Sequence, residues 1–299
     1  MEKLINLLST NTDLLWAALV SAVVSTGVSY WFKRRETVYK AKVEYEYEQR
    51  KKLRQLIGRY HGRLLNAANS MNYRLWNLYK NWEKGWLDVD GDYANIELYY
   101  FRSSVYRFLN VCTLIRQLES EAILLDARIA QKDDFVFLNY AAALNWVMTD
   151  AALIDGLQYD VFYQTDHFFS DQFRQYCDKC LINDGFISID EFSNLLSEGD
   201  SLMAVLQYFD GLTQDENRFR WDRLVSFHLL LMAFINSFGY SRQYTSQGKF
   251  IQVAKQVRNL KVLENLEAWL PRHDLERNSE VKKIIRAIKA VKKEDLLIL

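Results

Sequence analysis

Residues Leu14 to Phe32, LLWAALVSAVVSTGVSYWF, form a run of nineteen residues without a charge, closed at once by Lys33, Arg34 and Arg35. As a helix the run would rise about 28 Å at roughly 1.5 Å per residue, close to the ~30 Å hydrocarbon core of a bilayer. A cleaved leader needs a basic start and a small-residue cleavage site. Here the start is near neutral (Glu2, Lys3, Asp13), and the basic cluster follows the run instead of preceding it. A buried core helix is rarely free of charge over such a length. The run is therefore expected to span a membrane, with Trp16 at one interface and Tyr30 and Trp31 at the other.

Charge sets the expected orientation. The stretch Lys33–Arg54 carries nine Lys and Arg residues, and the stretch before the run carries one. By the positive-inside rule the C-terminal part lies in the cytoplasm and the N-terminus outside, as a single-pass protein of the cell inner membrane. Within the run, Ala17, Ser21, Ser25 and Ser29 recur every four residues, with Ala18, Ala22 and Thr26 in the next row. Small residues at this spacing let helix backbones approach closely, which points to self-association into a homo-oligomer. The alternative is that the hydroxyls bond carbonyls of their own helix.

The remaining chain reads as all-α. One proline, Pro271, and eleven glycines leave too few breakers for an all-β fold with many tight turns. Positions Ile57, Tyr60, Leu64, Ala68, Met71, Leu75, Leu78 and Trp82 step by about 3.6 residues, an amphipathic stripe. The expected organisation is a short extracytoplasmic N-terminus (1–13), a transmembrane helix (14–32), a juxtamembrane helical stalk (33–86) and a cytosolic multi-helix domain (93–299). Helical patterns cover 93–131, 134–155, 159–178, 188–197, 199–209, 214–239, 246–269 and 276–295, with Asp92, Ser188 and Asp200 as N-caps and Phe238–Gly239 as a stop. Leu224–Tyr240 is apolar on nearly every side and reads as the central buried helix of the domain. No stretch alternates with period two.

Formal net charge is zero, so nucleic acid is not supported as a partner. The last helix is the exception in charge: Val281, Ile284, Ile285, Ile288 and Val291 make one face, and Lys282, Lys283, Arg286, Lys289, Lys292 and Lys293 the other. Beside a membrane such a helix can lie on anionic lipid; away from one it is a surface helix with a wet basic face.

Four local patterns bear on chemistry. Arg223-Leu-Val-Ser-Phe-His228 resembles the Rx4-6H signature of HEPN ribonucleases, a helical family in which the Arg and His of two protomers converge. That resemblance implies His228 as acid or base and Arg223 as the phosphate-holding group, roles within reach of an imidazole and a guanidinium. Asn183–Phe192 is similar to the second half of an EF-hand loop, with Gly185, Ile187 and Glu191 in place. The first-half positions fall on Cys180 and Ile182, which cannot supply hard oxygen ligands, so a turn and a capped helix are expected. The loop Asp88–Asp92 clusters three carboxylates, with its glycine misplaced for the same motif. Cys177-Asp-Lys-Cys180 is a lone C-x-x-C. With only Cys112 besides, it falls short of a zinc set, and the thiols are expected to be reduced.

No Walker loop, G-x-G-x-x-G, H-E-x-x-H or G-x-S-x-G occurs. No cofactor or metal is expected, and the balance leans away from an enzyme. The expected function is a membrane-anchored, self-associating helical protein that binds or senses an unidentified protein partner at the cytoplasmic face. Its layout is similar to that of membrane effectors in bacterial phage defence, an analogy of architecture. The alternative is a membrane-tethered ribonuclease using Arg223 and His228.

Overall fold

The computed structural model describes residues 2–125, 131–159, 166–182, 185–197 and 200–295, with the side chains of 2–13, 15, 132 and 200 left aside. The chain is all-α. Its helices are α1 (Glu2–Asn81), α2 (Tyr99–Ala122), α3 (Lys132–Thr149), α4 (Ser170–Lys179), α5 (Ile189–Ser197), α6 (Met203–Phe209), α7 (Arg220–Phe238), α8 (Gln247–Ala254), α9 (Leu260–Trp269) and α10 (Val281–Asp295). It divides into two compact units, Met1–Lys52 and Leu53–Leu299.

The first unit is helical, and its large apolar side chains face outward: Trp16, Leu19, Val23, Tyr30 and Phe32 are each more than half exposed. The expectation of a membrane span fails here. Among the described residues no helix is long and apolar enough to cross a membrane. Ser21, Ser25, Thr26, Gly27, Ser29 and Tyr30 thin the hydropathy of the run, and the helix continues directly into Lys33, Arg34 and Arg35. The readings that hung on a span are corrected with it. These are the single-pass inner-membrane placement with its N-terminus outside, the anchored phage-defence effector, the homo-oligomer assembled through the span, and the tethered ribonuclease.

The second unit is built around α7. Residues Arg220 to Ile235 are all buried, because a helix apolar on every side has no face to give to water. Helices α3, α8, α9 and α10 pack against it. From α1, the stripe Tyr60, Leu64, Ala68, Met71 and Leu75 enters the same core with no residual exposure. Side chains from α1 meet α7 directly: Tyr79 lies edge-on to Trp221 at 5.4 Å, and Trp76 edge-on to His228 at 5.4 Å. At the end of α1 the chain tightens into a 3-10 turn, Trp82–Lys84, closed by Gly85 with φ of +63°, a left-handed conformation that favours glycine.

Besides the start of α6 at Met203, where Leu202 and not Asp200 stands at the N-cap, three local outcomes differ from the sequence expectation. The first concerns α2, which begins at Tyr99 rather than at Asp92; no side chain caps it, and the preceding residues form turns. The second is that the pattern over 246–269 splits into α8 and α9. Asn259 caps α9 by accepting the Lys261 N–H at 3.0 Å, while Trp221 Nε1 donates to the Gln256 carbonyl at 2.8 Å and holds the break in place. The third is a two-residue antiparallel ladder, Leu181–Ile182 with Gly185–Phe186, where period two was too short to detect. The Phe238–Gly239 stop is realised, and for a steric reason. A Cβ on Gly239 would stand 2.5 Å from the Ile235 carbonyl oxygen and 2.7 Å from Gln243 Oε1.

Candidate functional site

The first turn of α7 gathers three buried charges that each terminate another helix. Arg220 Nη1 donates to the carbonyls of Gln207, Tyr208 and Asp210 at 2.7–2.9 Å, covering the C-terminal end of α6. Its other edge forms an ion pair with Glu216 at 2.6 Å. Arg223 Nη1 donates to the carbonyls of Val147 and Asp150 at 2.7 and 2.9 Å, the C-terminal end of α3, and its Nε donates to the Asp166 carbonyl at 2.7 Å. Asp222 accepts the N–H groups of Arg258 and Asn259 at 2.7 and 3.2 Å, at the N-terminal end of α9. Cations thus meet carbonyl ends and the anion meets an N–H end, as the helix dipole favours. Burial pushes the Asp222 carboxyl up to about 6, against the pull of those two N–H groups and of Arg258. Burial pushes the Arg223 guanidinium down to about 10.

His228 lies farther along α7 and faces α1. Its Nε2 is 2.7 Å from Asn72 Oδ1, and the rings of Trp76 and Tyr79 flank it at 5.4 Å. The ring has no exposure, and burial lowers its pKa to about 3. A neutral ring donating from Nε2 fits this environment and leaves Nδ1 as a bare acceptor, the atom without a partner. Arg223 and His228 therefore sit in separate contacts, on α3 and α1 respectively, and neither reaches solvent. The six residues that resemble the HEPN signature are occupied with packing and capping inside the core.

The other sequence candidates are placed as follows. Ala17, Ser21, Ser25 and Ser29 lie exposed on α1; Ser25 Oγ and Thr26 Oγ1 donate to the Ala22 carbonyl of their own helix at 3.1 and 2.6 Å. On α10, Val281, Ile284, Ala287 and Ile288 are buried against α7, α8 and α9. That apolar face is therefore unavailable to a bilayer, and lipid as a partner is corrected accordingly. Of the basic face, Lys283 pairs with Glu280 at 2.6 Å, Lys289 with Glu267 at 3.8 Å and Lys292 with Glu264 at 3.0 Å, while Lys282 and Arg286 are exposed. In the EF-hand-like stretch, Asn183 and Asp184 lie outside the described residues. Glu191 caps α5, accepting the Ser188 N–H at 2.8 Å while its own N–H donates to Ser188 Oγ at 3.2 Å. In the Asp88–Asp92 turn, the N–H groups of Val89 and Gly91 donate to Asp210 at 3.0 and 2.9 Å, tying it to the end of α6. Among the described residues no group of three or more His, Cys, Asp or Glu could hold a metal ion.

Cys112, Cys177 and Cys180 are buried free thiols. Burial raises all three, Cys180 to about 12. Because the thiolate is the reactive form, the native protein is expected to resist iodoacetamide at pH 8 and to take up three equivalents only in denaturant. Labelling of any of the three at the rate of a free thiol in native buffer would contradict this burial.

The second unit carries a groove of about 1270 Å³. One wall is the start of α3, with Asp133, Phe135, Val136 and Asn139; the end of α7 adds Ser237 and Phe238; the turn before α10 adds Asp274, Glu276, Arg277, Asn278 and Ser279. Its floor is rigid. The Phe238 ring packs on Phe137, Phe234 and Tyr140 at 5.0, 5.3 and 5.9 Å, largely edge-on. Below it Ser237 Oγ donates to Tyr140 Oη at 3.2 Å, and the Tyr140 hydroxyl donates to Asn278 Oδ1 at 3.0 Å. That oxygen also accepts the N–H of Glu280 at 2.8 Å, at the start of α10. The groove lining includes no His or Cys. A smaller hollow of about 520 Å³ runs along Leu19, Ala22, Val23, Thr26, Gly27 and Tyr30; its walls come from one helix, so it does not enclose a ligand.

Sequence reasoning missed the groove because its lining comes from three segments far apart in the chain, none of them a motif. No family model, no curated protein and no solved structure matches the chain.

Proposed function

We propose that the protein works as a binding module and that the groove between α3, α7 and the turn before α10 receives its ligand. The observation that carries this reading is the combination of an apolar floor with polar side chains from three segments that converge on it. Binding sites are typically concave and mostly apolar, with a few placed polar groups. Asp222, Arg223 and His228, whose protonation burial shifts, are engaged in capping and packing inside the core. They support the fold instead of facing a substrate.

The buried thiols make a selective test available. Ser279 lines the groove and is exposed, so Ser279→Cys should accept an environment-sensitive thiol dye while Cys112, Cys177 and Cys180 do not. A mixed pool of short peptides and small polar organic molecules should shift the dye emission, and hydrogen exchange should slow at residues 133–139 and 274–280. An unmoved dye, together with protection that maps to another surface, would sink the groove as the binding site.

A further inference from the structure

Resting on the groove as the binding site, we infer that its ligand is a basic peptide segment, an arginine or lysine next to an apolar residue. The charge of the lining carries the argument. Asp133, Asp274 and Glu276 contribute three carboxylates, and among the described side chains of the groove Arg277 is the only cation. Arg277 does not neutralise them. Its side chain is 93% exposed, and its Nε reaches only one oxygen of Glu276, at 3.5 Å. A guanidinium or ammonium group supplies both the charge and the donors that exposed carboxylates accept.

The apolar part of the lining fixes the rest of the ligand. Phe135 is 37% exposed at the wall, and Phe238 forms the floor. Aromatic faces attract cations and accept an apolar neighbour. The volume of about 1270 Å³ exceeds the roughly 300–1,000 Å³ of small-molecule sites, which favours an extended segment over a compact ligand.

The test is isothermal titration of the full chain at low ionic strength with four probes. These are a five-residue peptide with arginine and lysine flanking phenylalanine, its counterpart with two glutamates, its counterpart with two glutamines, and spermidine. The basic peptide should bind at least tenfold more tightly than the other three and weaken about tenfold in 0.5 M salt, where the screening length shrinks to a few Å. The double variant D274N and E276Q should weaken it at least tenfold. Asn tolerates the left-handed backbone at position 274, so the charge is removed without strain, and an unchanged circular dichroism melt verifies the fold. Equal binding of the acidic or glutamine peptide would overturn the charge argument and leave the groove reading standing. Spermidine binding as tightly as the basic peptide would overturn the peptide as occupant. No binding by any probe, with the dye at position 279 also silent, would overturn both readings.

Discussion

Replacing Arg223 with methionine lowers the stability of the second unit by about 4 kcal/mol, with Arg223→Lys falling between the variant and the wild type. Methionine matches the stem in length and apolar character, so the loss isolates the guanidinium. Three carbonyls, those of Val147 and Asp166 buried and that of Asp150 half-buried, lose the guanidinium as donor. A buried polar group left without its partner costs about 1–3 kcal/mol, and hydrogen bonds to charged donors sit at the upper end of the usual range. Burying the guanidinium carries its own desolvation cost, which the variant recovers in part. About 4 kcal/mol is what three orphaned acceptors leave after that recovery. Lysine keeps the charge but cannot span three carbonyls with a planar fork. For a domain of ordinary stability, about 5–15 kcal/mol, the methionine variant would be close to unfolding at room temperature. Urea titration followed by far-ultraviolet circular dichroism measures it. A loss under about 1 kcal/mol would mean that the carbonyls find other donors and that the cap is dispensable.

Arg220 offers an internal comparison. It caps α6 in the same manner but also pairs with Glu216, and its side chain is almost as fully buried. The two arginines stand three residues apart on one helix, yet each reaches a different helix end. Arg220, Asp222 and Arg223 therefore act as a junction. A single turn of α7 fixes where α6 and α3 stop and where α9 starts. The pieces of the second unit are short, and α6 has only seven residues. Helices of that length are marginal in isolation, so their ends need holding from outside.

How much of this could be read from the sequence depended on the range of the interaction. The stripe from Ile57 to Trp82 and the all-round apolar character of Leu224–Tyr240 are periodic within a single element. They identify buried faces correctly, as Tyr60, Leu64 and Phe234 attest. The Ser188–Glu191 cap and the Gly239 stop are equally local. The charges at the start of α7 were visible, but their partners lie some ten to seventy residues away, as with Arg220 to Asp210 and Arg223 to Val147. Spacing alone therefore suggested a phosphate-binding pair. The same spacing contains the counter-argument: five residues on a helix turn about 140°, which sends Arg223 toward α3 and His228 toward α1. The apolar run Leu14–Phe32 was legible as a helix. Among the described residues, however, no helix is long and apolar enough to cross a membrane.

Asp222 and His228 of α7 are expected to oppose each other in their effect on stability, and single substitutions separate them. His228 has a folded pKa near 3, against about 6.5 when unfolded. Between those values only the unfolded chain holds the proton, so its contribution to stability is complete above pH 6.5 and is lost as pH falls toward 3, by about 1.4 kcal/mol per unit. Asp222 has a folded pKa near 6, against about 3.9 unfolded. Between these values the folded chain holds the extra proton, so acidification favours folding by about the same amount per unit. From about pH 6 to pH 4 the two slopes cancel in the wild type. Asp222→Asn removes the favourable one. Relative to wild type, that variant should lose about 2–3 kcal/mol between pH 6 and pH 4. His228→Phe removes the unfavourable slope and should gain a similar amount over the same interval, whatever its offset at pH 7 from the lost Asn72 contact. Taking each variant against wild type at every pH cancels the contributions of the other shifted groups, among them His167 and Glu216. Urea midpoints at pH 7, 6, 5 and 4 give both curves. If the Asp222→Asn curve runs parallel to wild type, the carboxylate stays ionised in the fold, held by the N–H groups of Arg258 and Asn259. If the His228→Phe curve does so, the imidazole finds a way to take its proton inside the core, which the packing of Trp76 and Tyr79 around it does not allow.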